Sequence, residues 1–305
     1  MMSAQNDWRP RFIVIGAVKA ATTWIQAQLQ SSPHIFMPDP EPHYFSRDYD
    51  KGEEYYRKFF SGQTGDHHLT GEKSADYLAH PEAPRRIAKD LPDVRLVVQL
   101  RDPVERAYSD YKMLYRRGTI RNLPECYLRG TDCDYPRFLH DGLYGQHLRN
   151  WLDVFPRERI LAFRYEDVAR QPQQIVENVC RHIGAPAFYD ALSARKRENN
   201  SSAALLPLPL RTALSPFKRA VKPLRGSVWF ERTRSVLARE IEYPPLDDDL
   251  RCHMEDFYRE DISLASQLLD IDLSAWEKDW ANRHHSTLNG ADTHPYPESL
   301  DAMPR

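Results

Sequence analysis

The sequence predicts an α/β fold, a central and mostly parallel sheet flanked by helices. Two observations carry that reading. The short apolar run at residues 12–15 has the character of a strand buried on both faces, and residues 95–100 and 159–168 read as two further strands. Each is followed by a stretch of helical periodicity, and strands alternating with helices build parallel sheets.

In chain order, "FIVIG" reads as the first buried strand, and residues 22–29 as the helix after it. Residues 34–45, "HIFMPDPEPHYF", are broken by proline and rich in aromatics, which suits a loop or a short strand. Residues 54–60 and 80–91 read as helices. "RLVVQL" is the second clear strand. The helix after it has Pro103 in its first turn and Gly118 as its stop. Residues 143–155 form an amphipathic helix with Leu148, Trp151, Leu152 and Phe155 on one face. "RILAFRYEDV" (159–168) supplies a third strand, residues 172–185 a helix ending at Gly184, and residues 246–269 a late helix.

A chain of 305 residues is long enough for a full core. A net charge of −2 and a pI near 6.6 argue against a general nucleic-acid binder. No apolar run reaches the roughly 20 residues of a membrane span. The first ten residues lack a signal-peptide core, so a cytoplasmic, reducing setting is expected. Cys126, Cys133, Cys180 and Cys252 fit it; Cys126 and Cys133 are close enough to pair only under oxidising conditions, and their spacing is no zinc signature. Residues 199–245 differ, with prolines, interleaved Phe217, Trp229 and Phe230, and a basic excess from Arg211 to Arg239. The last residues, from 286 on, read as a polar, disordered tail.

The chemistry concentrates where the first strand becomes a helix. A helix N-terminus beyond a strand's carboxyl end offers free N–H groups and partial positive charge to an anion. In "GAVKAATT" (16–23), Lys19 adds a full charge and Thr22 and Thr23 add hydroxyls. The bland alternative is a threonine-capped helix with Lys19 in solvent. The pattern is not a Walker A loop, which needs a Gly-Lys pair directly before the hydroxyl residue. A second strand end repeats the theme: "LRDPVERAYSDY" (100–111) sets Arg101 there and Ser109 in the next helix. Together they suit a ligand with two separated phosphates. Alternatively, Arg101 and Asp102 are a surface ion pair.

Taken together these stretches resemble the sulfotransferases that use 3′-phosphoadenosine 5′-phosphosulfate (PAPS), in the branch of heparan sulfate and related carbohydrate enzymes and their bacterial relatives. "GAVKAATT" looks like the 5′-phosphosulfate loop and "LRDPVERAYSDY" like the 3′-phosphate segment. "EPHYF" (41–45), "EKSADYL" (72–78), "LRNWLDVFPRERILAFRYEDV" (148–168) and "YPPLDDDLR" (243–251) follow in the family's order. Three positions depart from it. Ala21 replaces a glycine, so the loop must avoid a left-handed backbone or accept strain; Pro40 stands where many relatives carry a lysine; and "REIEYPP" is acidic where the late cofactor loop is often basic.

The resemblance implies a P-loop-like fold, one domain over residues 1–285, and a donor site of Lys19, Ala20, Ala21, Thr22, Thr23, Trp24, Arg101, Ser109 and Tyr243. It implies that Lys19 neutralises the leaving phosphate, that Glu41 is the general base, that His43 orients the acceptor or shares the proton, and that Lys73 is a second cation near the sulfuryl group. If the chain there is extended, Glu41 and His43 share a face. No metal is implied. The acceptor is a glycan or small molecule, with residues 203–239 as its lid or insertion and a possible peripheral membrane contact through 211–239. Two other readings remain open: a P-loop kinase of a small nucleotide or sugar, and a non-catalytic nucleotide-binding protein.

Overall fold

The computed structural model describes residues 8–64, 68–195 and 241–288, with the side chains of 195 and 284–288 left aside. The expected lid at 203–239, the membrane-contact stretch 211–239 and the tail beyond 288 lie outside the described residues.

Five strands, β1 (Phe12–Gly16), β2 (Ile35–Phe36), β3 (Leu69–Lys73), β4 (Arg95–Leu100) and β5 (Ile160–Arg164), form one sheet in the order β2-β3-β1-β4-β5. Every pairing is parallel. The helices are α1 (Thr22–Gln30), α2 (Glu53–Arg57), α3 (Ala83–Asp90), α4 (Pro103–Arg117), α5 (Glu125–Leu128), α6 (Arg137–His140), α7 (Tyr144–Leu152), α8 (Tyr165–Arg170), α9 (Pro172–Ile183), α10 (Ala191–Arg195), α11 (Asp248–Leu269) and α12 (Ser274–Leu288). Among the described residues, no helix is long and apolar enough to cross a membrane.

Period-two alternation divides the core. Ile13, Ile15, Leu96, Val98 and Leu100 face one layer, with Tyr111, Trp151 and Tyr258 from α4, α7 and α11. Phe12, Val14, Val97 and Phe163 face the other, with Ile25, Leu29, Val176 and Val179 from α1 and α9. The chain leaves β1 for the β2 edge, returns to β3, then crosses β1 to reach β4. Strand order therefore reverses beside β1, and a crevice opens at the carboxyl ends there.

Three differences from the sequence reading matter. β3, "LTGEK", was not expected, because it carries no apolar run; Gly71 instead lets the Phe12 ring lie across it. A Cβ on Gly71 would stand 2.1 Å from that ring. The third expected strand stops at Arg164, and "YEDV" opens α8, since the acidic residues Glu166 and Asp167 favour a helix's first turn. Beyond residue 269 the chain forms a second C-terminal helix, α12, which packs Trp276 and Trp280 into the core.

Because the Phe12–Gly71 contact leaves no room for a methyl group, Gly71→Ala should destabilise the fold by about 1–3 kcal/mol. A denaturant midpoint unchanged from the wild type would show that the Phe12 ring is free to move. Adding Phe12→Leu should recover part of the loss.

Candidate functional site

The loop after β1 is stitched to the end of β4. The Ala17 N–H donates to the Gln99 carbonyl at 2.8 Å, and the Arg101 guanidinium donates to the Lys19 carbonyl at 3.2 Å. Two backbone positions in this loop are left-handed, Lys19 at φ 66° and Ala21 at φ 59°. Ala21 thus takes the glycine-like conformation directly, at a cost of about 1–2 kcal/mol. It is the N-cap of α1 and gives no side-chain cap, so the alternative of a threonine-capped helix does not hold.

Lys19 is half-buried, and its ammonium meets the Met113 sulfur of α4 at 3.8 Å. Burial lowers its pKa, and the nearby Arg101, Arg117 and Arg106 cations lower it further against the pull of Asp110. Arg101 lies over the Tyr165 ring at 5.2 Å, and its carbonyl accepts from the Tyr144 hydroxyl at 2.8 Å. Asp102 is no surface partner of Arg101. It is buried and caps α4, accepting from Val104 N and Glu105 N at 2.8 and 3.2 Å and from the Trp280 indole at 2.8 Å. Its own N–H donates to Glu166 at 3.1 Å. Burial, with the Glu105 charge beside it, pushes the Asp102 carboxyl up.

The other expected donor-site residues fall around this junction. Ser109 is half-buried one helical turn before Met113, on the α4 face that meets Lys19. Ala20 and Thr22 are buried and Thr23 is half-buried. Trp24 donates its indole N–H to the Ala194 carbonyl of α10 at 3.3 Å. Tyr243 joins a neighbouring stripe of α4, its ring 6.1 Å from that of Tyr115 and 5.9 Å from the Lys112 ammonium. The Tyr108 hydroxyl donates to the adjacent Pro244 carbonyl at 2.8 Å.

A second group gathers at the end of β3. Lys73 is only 2% exposed and donates to Glu41 Oε1 at 2.6 Å, so it is no surface lysine. The Ala75 N–H donates to Glu41 Oε2 at 3.0 Å. Glu41 and His43 do face each other, with Oε2 and Nε2 3.9 Å apart. The cause is not the extended chain expected from sequence: His43 sits at φ 50° and opens a π-helical turn over Tyr44–Asp48. The His43 N–H donates to the Ser74 hydroxyl at 2.9 Å, and its ring Nδ1 lies 2.7 Å from Asp76 Oδ1. Burial opposes ionisation of Asp76, but the hydrogen bond with His43 and the charge of Arg47 outweigh it and hold that carboxyl below the usual range.

Beneath this group Glu72 is fully buried. It accepts from the hydroxyls of Tyr56 at 2.5 Å, Ser74 at 2.9 Å and Tyr77 at 3.2 Å. Burial pushes its carboxyl up to about 7, although those three donors pull the other way.

The two groups meet. Strand register sets Lys73 beside Val14. A Cβ on Gly16 would lie 2.8 Å from Leu78 Cβ and 2.9 Å from the Ala75 carbonyl, so the loop before Lys19 rests on the segment that holds Glu41. The sequence reading missed Asp76, Ser74 and Glu72, although they stand in the quoted "EKSADYL"; the signal was three polar or acidic residues flanking a lysine in five positions.

A family model, the sulfotransferase domain, matches residues 9–202. The chain is 34% identical over 179 residues to heparan sulfate glucosamine 3-O-sulfotransferase 6 of Mus musculus, covering 57% of this chain and 52% of that protein. It is 26% identical over 288 residues to bifunctional heparan sulfate N-deacetylase/N-sulfotransferase 3 of Homo sapiens, covering 86% of this chain and 30% of that one. The chain therefore spans about half, or less, of the length of these relatives. In fold it is similar to a sulfotransferase from Alicyclobacillus acidocaldarius, with a TM-score of 0.65, 23% identity, and coverage of 88% of this chain and 99% of that one.

Two stability measurements probe this geometry. Ala21→Gly should leave stability unchanged or raise it by up to about 1 kcal/mol, because relief of the left-handed strain offsets the added freedom of the unfolded chain. Ala21→Val should cost more than about 1 kcal/mol. Glu72 supplies a pH test. Its folded pKa is raised above the ordinary carboxylate value of 4.5 to about 7, so the folded state holds the extra proton between those values. Stability is full below about 4.5 and declines as pH rises through about 7, by on the order of 3 kcal/mol in all. Melting curves of Glu72→Gln should lack that decline between pH 5 and 8; parallel slopes for variant and wild type would remove Glu72 as the cause.

Proposed function

The chain belongs to the sulfotransferase domain family, and from that premise we propose that it moves a sulfuryl group from PAPS to a carbohydrate hydroxyl. One observation carries the reading: a crowd of cations at the tips of β1 and β4 abuts, through Gly16 and Ala75, a carboxylate and an imidazole at the tip of β3. The donor set fits a bis-anionic nucleotide. Burial and the charges of Arg101, Arg117 and Arg106 disfavour the Lys19 ammonium against the pull of Asp110, and a bound anion would relieve that cost. The start of α1 has no side-chain cap, which suits a ligand that takes its N–H groups.

When bound, PAPS supplies an activated sulfuryl group on a phosphate leaving group. Lys19 and the N–H groups and hydroxyls of Thr22 and Thr23 hold the 5′ end and offset its developing charge. Arg101 and Ser109 hold the 3′-phosphate, with Tyr243 and Trp24 bounding the nucleotide. Glu41 takes the acceptor's proton. Its oxygens each receive one donor, from Lys73 and from Ala75 N–H, and a carboxylate oxygen with one donor keeps a lone pair for another. On this reading Lys73, bonded to that carboxylate at 2.6 Å, also attends the transferred group.

The carbohydrate acceptor rests on the names of the relatives, one of them a glucosamine 3-O-sulfotransferase. The N-sulfotransferase relative keeps an amine as the second acceptor class. A kinase reading is disfavoured, because the loop lacks the second glycine and the adjacent lysine of a Walker A motif.

Calorimetry with adenosine 3′,5′-bisphosphate in the presence of a chelator should give a binding heat, and labelled PAPS with an acceptor panel should give an ~80 Da mass gain, that of one SO3 group. Arg101→Ala should weaken nucleotide binding about 10- to 100-fold, the loss of a charged hydrogen bond. Lys19→Ala should mainly lower kcat. Glu41→Gln should lower kcat by about 10²- to 10⁴-fold and leave binding intact. No binding heat at millimolar nucleotide would end the proposal; full activity in Glu41→Gln would transfer the base role to His43.

A further inference from the structure

His43 and Asp76 come from different parts of the chain, 33 positions apart, yet their side chains meet at 2.7 Å. Asp76 is itself clasped from three directions. Its Oδ1 faces His43 Nδ1, and its Oδ2 accepts from the Ser46 hydroxyl at 3.0 Å and from Arg47 Nε at 3.0 Å. With two donors already on Oδ2, the carboxylate is fixed in orientation. Because it is held ionised, it accepts and does not donate. The imidazole must therefore carry its proton on Nδ1.

That assignment determines what the other nitrogen does. In the neutral ring, Nε2 then bears a lone pair, and it looks at Glu41 Oε2 across 3.9 Å. Two acceptors facing each other at that separation share no hydrogen bond, and the gap exceeds a direct donor–acceptor contact. A hydroxyl entering between them could donate its proton to either. The backbone is locked to match, since His43 N–H is bonded to Ser74 and φ is 50°. The charged and titratable groups facing the ring are Glu41 and Arg47 from its own segment, Asp76 from the β3–α3 connection, Lys73 through Glu41, and buried Glu72 through Ser74.

We propose that Asp76 is a positioning residue, which acts through His43 to fix the Nδ1-protonated tautomer and so aims a lone pair on Nε2 at the acceptor hydroxyl beside Glu41. This rests on the reaction proposed above, and the test separates the two. Nitrogen-15 NMR of the full chain, labelled at histidine and assigned by comparison with His43→Gln, should show His43 protonated at Nδ1 above pH 8. Asp76→Asn should lose that signature, while its affinity for adenosine 3′,5′-bisphosphate stays within twofold of the wild type. With PAPS and a heparan sulfate oligosaccharide mixture as acceptor, Asp76→Asn should lower kcat 10- to 100-fold and leave the KM for PAPS unchanged.

An Nε2-protonated ring in the wild type, or an unchanged signature in Asp76→Asn, overturns the proposal. So does a full loss of tautomer without any fall in kcat. If the wild type transfers nothing to the oligosaccharides, the acceptor reading fails, and the NMR result still decides whether Asp76 sets the ring. Should Asp76→Asn not fold, the Ser46→Ala/Arg47→Ala double variant serves: it leaves the bond to His43 in place and should keep the Nδ1 signature. Loss of the signature there would count against Asp76 as the controlling contact.

Discussion

Everything in the site depends on the seam between the first and fourth strands. Two hydrogen bonds close it, from Ala17 N–H to Gln99 and from Arg101 to the Lys19 carbonyl. Lys19 sits there against the charges of Arg101, Arg117 and Arg106, with Asp110 as the attraction on the other side. Support for the seam comes from behind. Asp102 caps α4 and is gripped by Trp280 of α12, Glu166 holds its N–H, and Tyr144 of α7 holds the Arg101 carbonyl. The C-terminal helices thus matter to the site although they contribute no residue to it. Trp280 of α12 holds Asp102, the residue next to Arg101, and on the proposed reading that contact preorganises the cation for its ligand.

Strain is distributed accordingly. Apart from Asp270, which caps α11, the left-handed non-glycine residues among those described are Lys19, Ala21 and His43. Each carries or adjoins a proposed role. A left-handed alanine persists only where its surroundings over-determine it, and here the loop is anchored at both ends, by β1 and by the first turn of α1.

Most of the fold was legible because it is written in periodicity. Residues 95–100 announced β4 by the apolar Leu96–Val98 and Leu100, and Pro103 and Gly118 bracketed α4 as expected. The cationic half of the candidate site was legible for the same reason, since Lys19 follows the first strand read from the sequence and Arg101 directly follows the second. β3 was not. Its buried side chains include Glu72 and Lys73, whose burial is tolerated because Tyr56, Tyr77, Ser74 and Glu41 supply partners. Those partners lie up to 32 positions away, and no local pattern records them. Asp76 stood in a polar cluster around Lys73 that was visible locally, but its pairing with His43, 33 positions away, was not. Glu41 and His43 were singled out by the family resemblance of "EPHYF"; the extended chain expected to put them on one face is replaced by a left-handed turn with the same outcome.

The pairing of Lys73 with Glu41 connects the two halves in one further way. A buried ammonium is tolerable while the carboxylate at 2.6 Å balances it. On the proposed reading, Glu41 becomes neutral as it accepts the acceptor's proton. Lys73 then loses its counter-charge at the moment when negative charge is moving along the nearby transfer axis, and its attraction for that charge is greatest when the base has done its work. A cation already neutralised by a permanent partner would stabilise substrate and transition state alike and accelerate nothing. A cation released by the proton transfer itself acts selectively on the transition state. The same coupling suits a carboxylate tethered by two donors to the role of base: Lys73, which balances its charge before the transfer, is left to attract the group in flight afterwards.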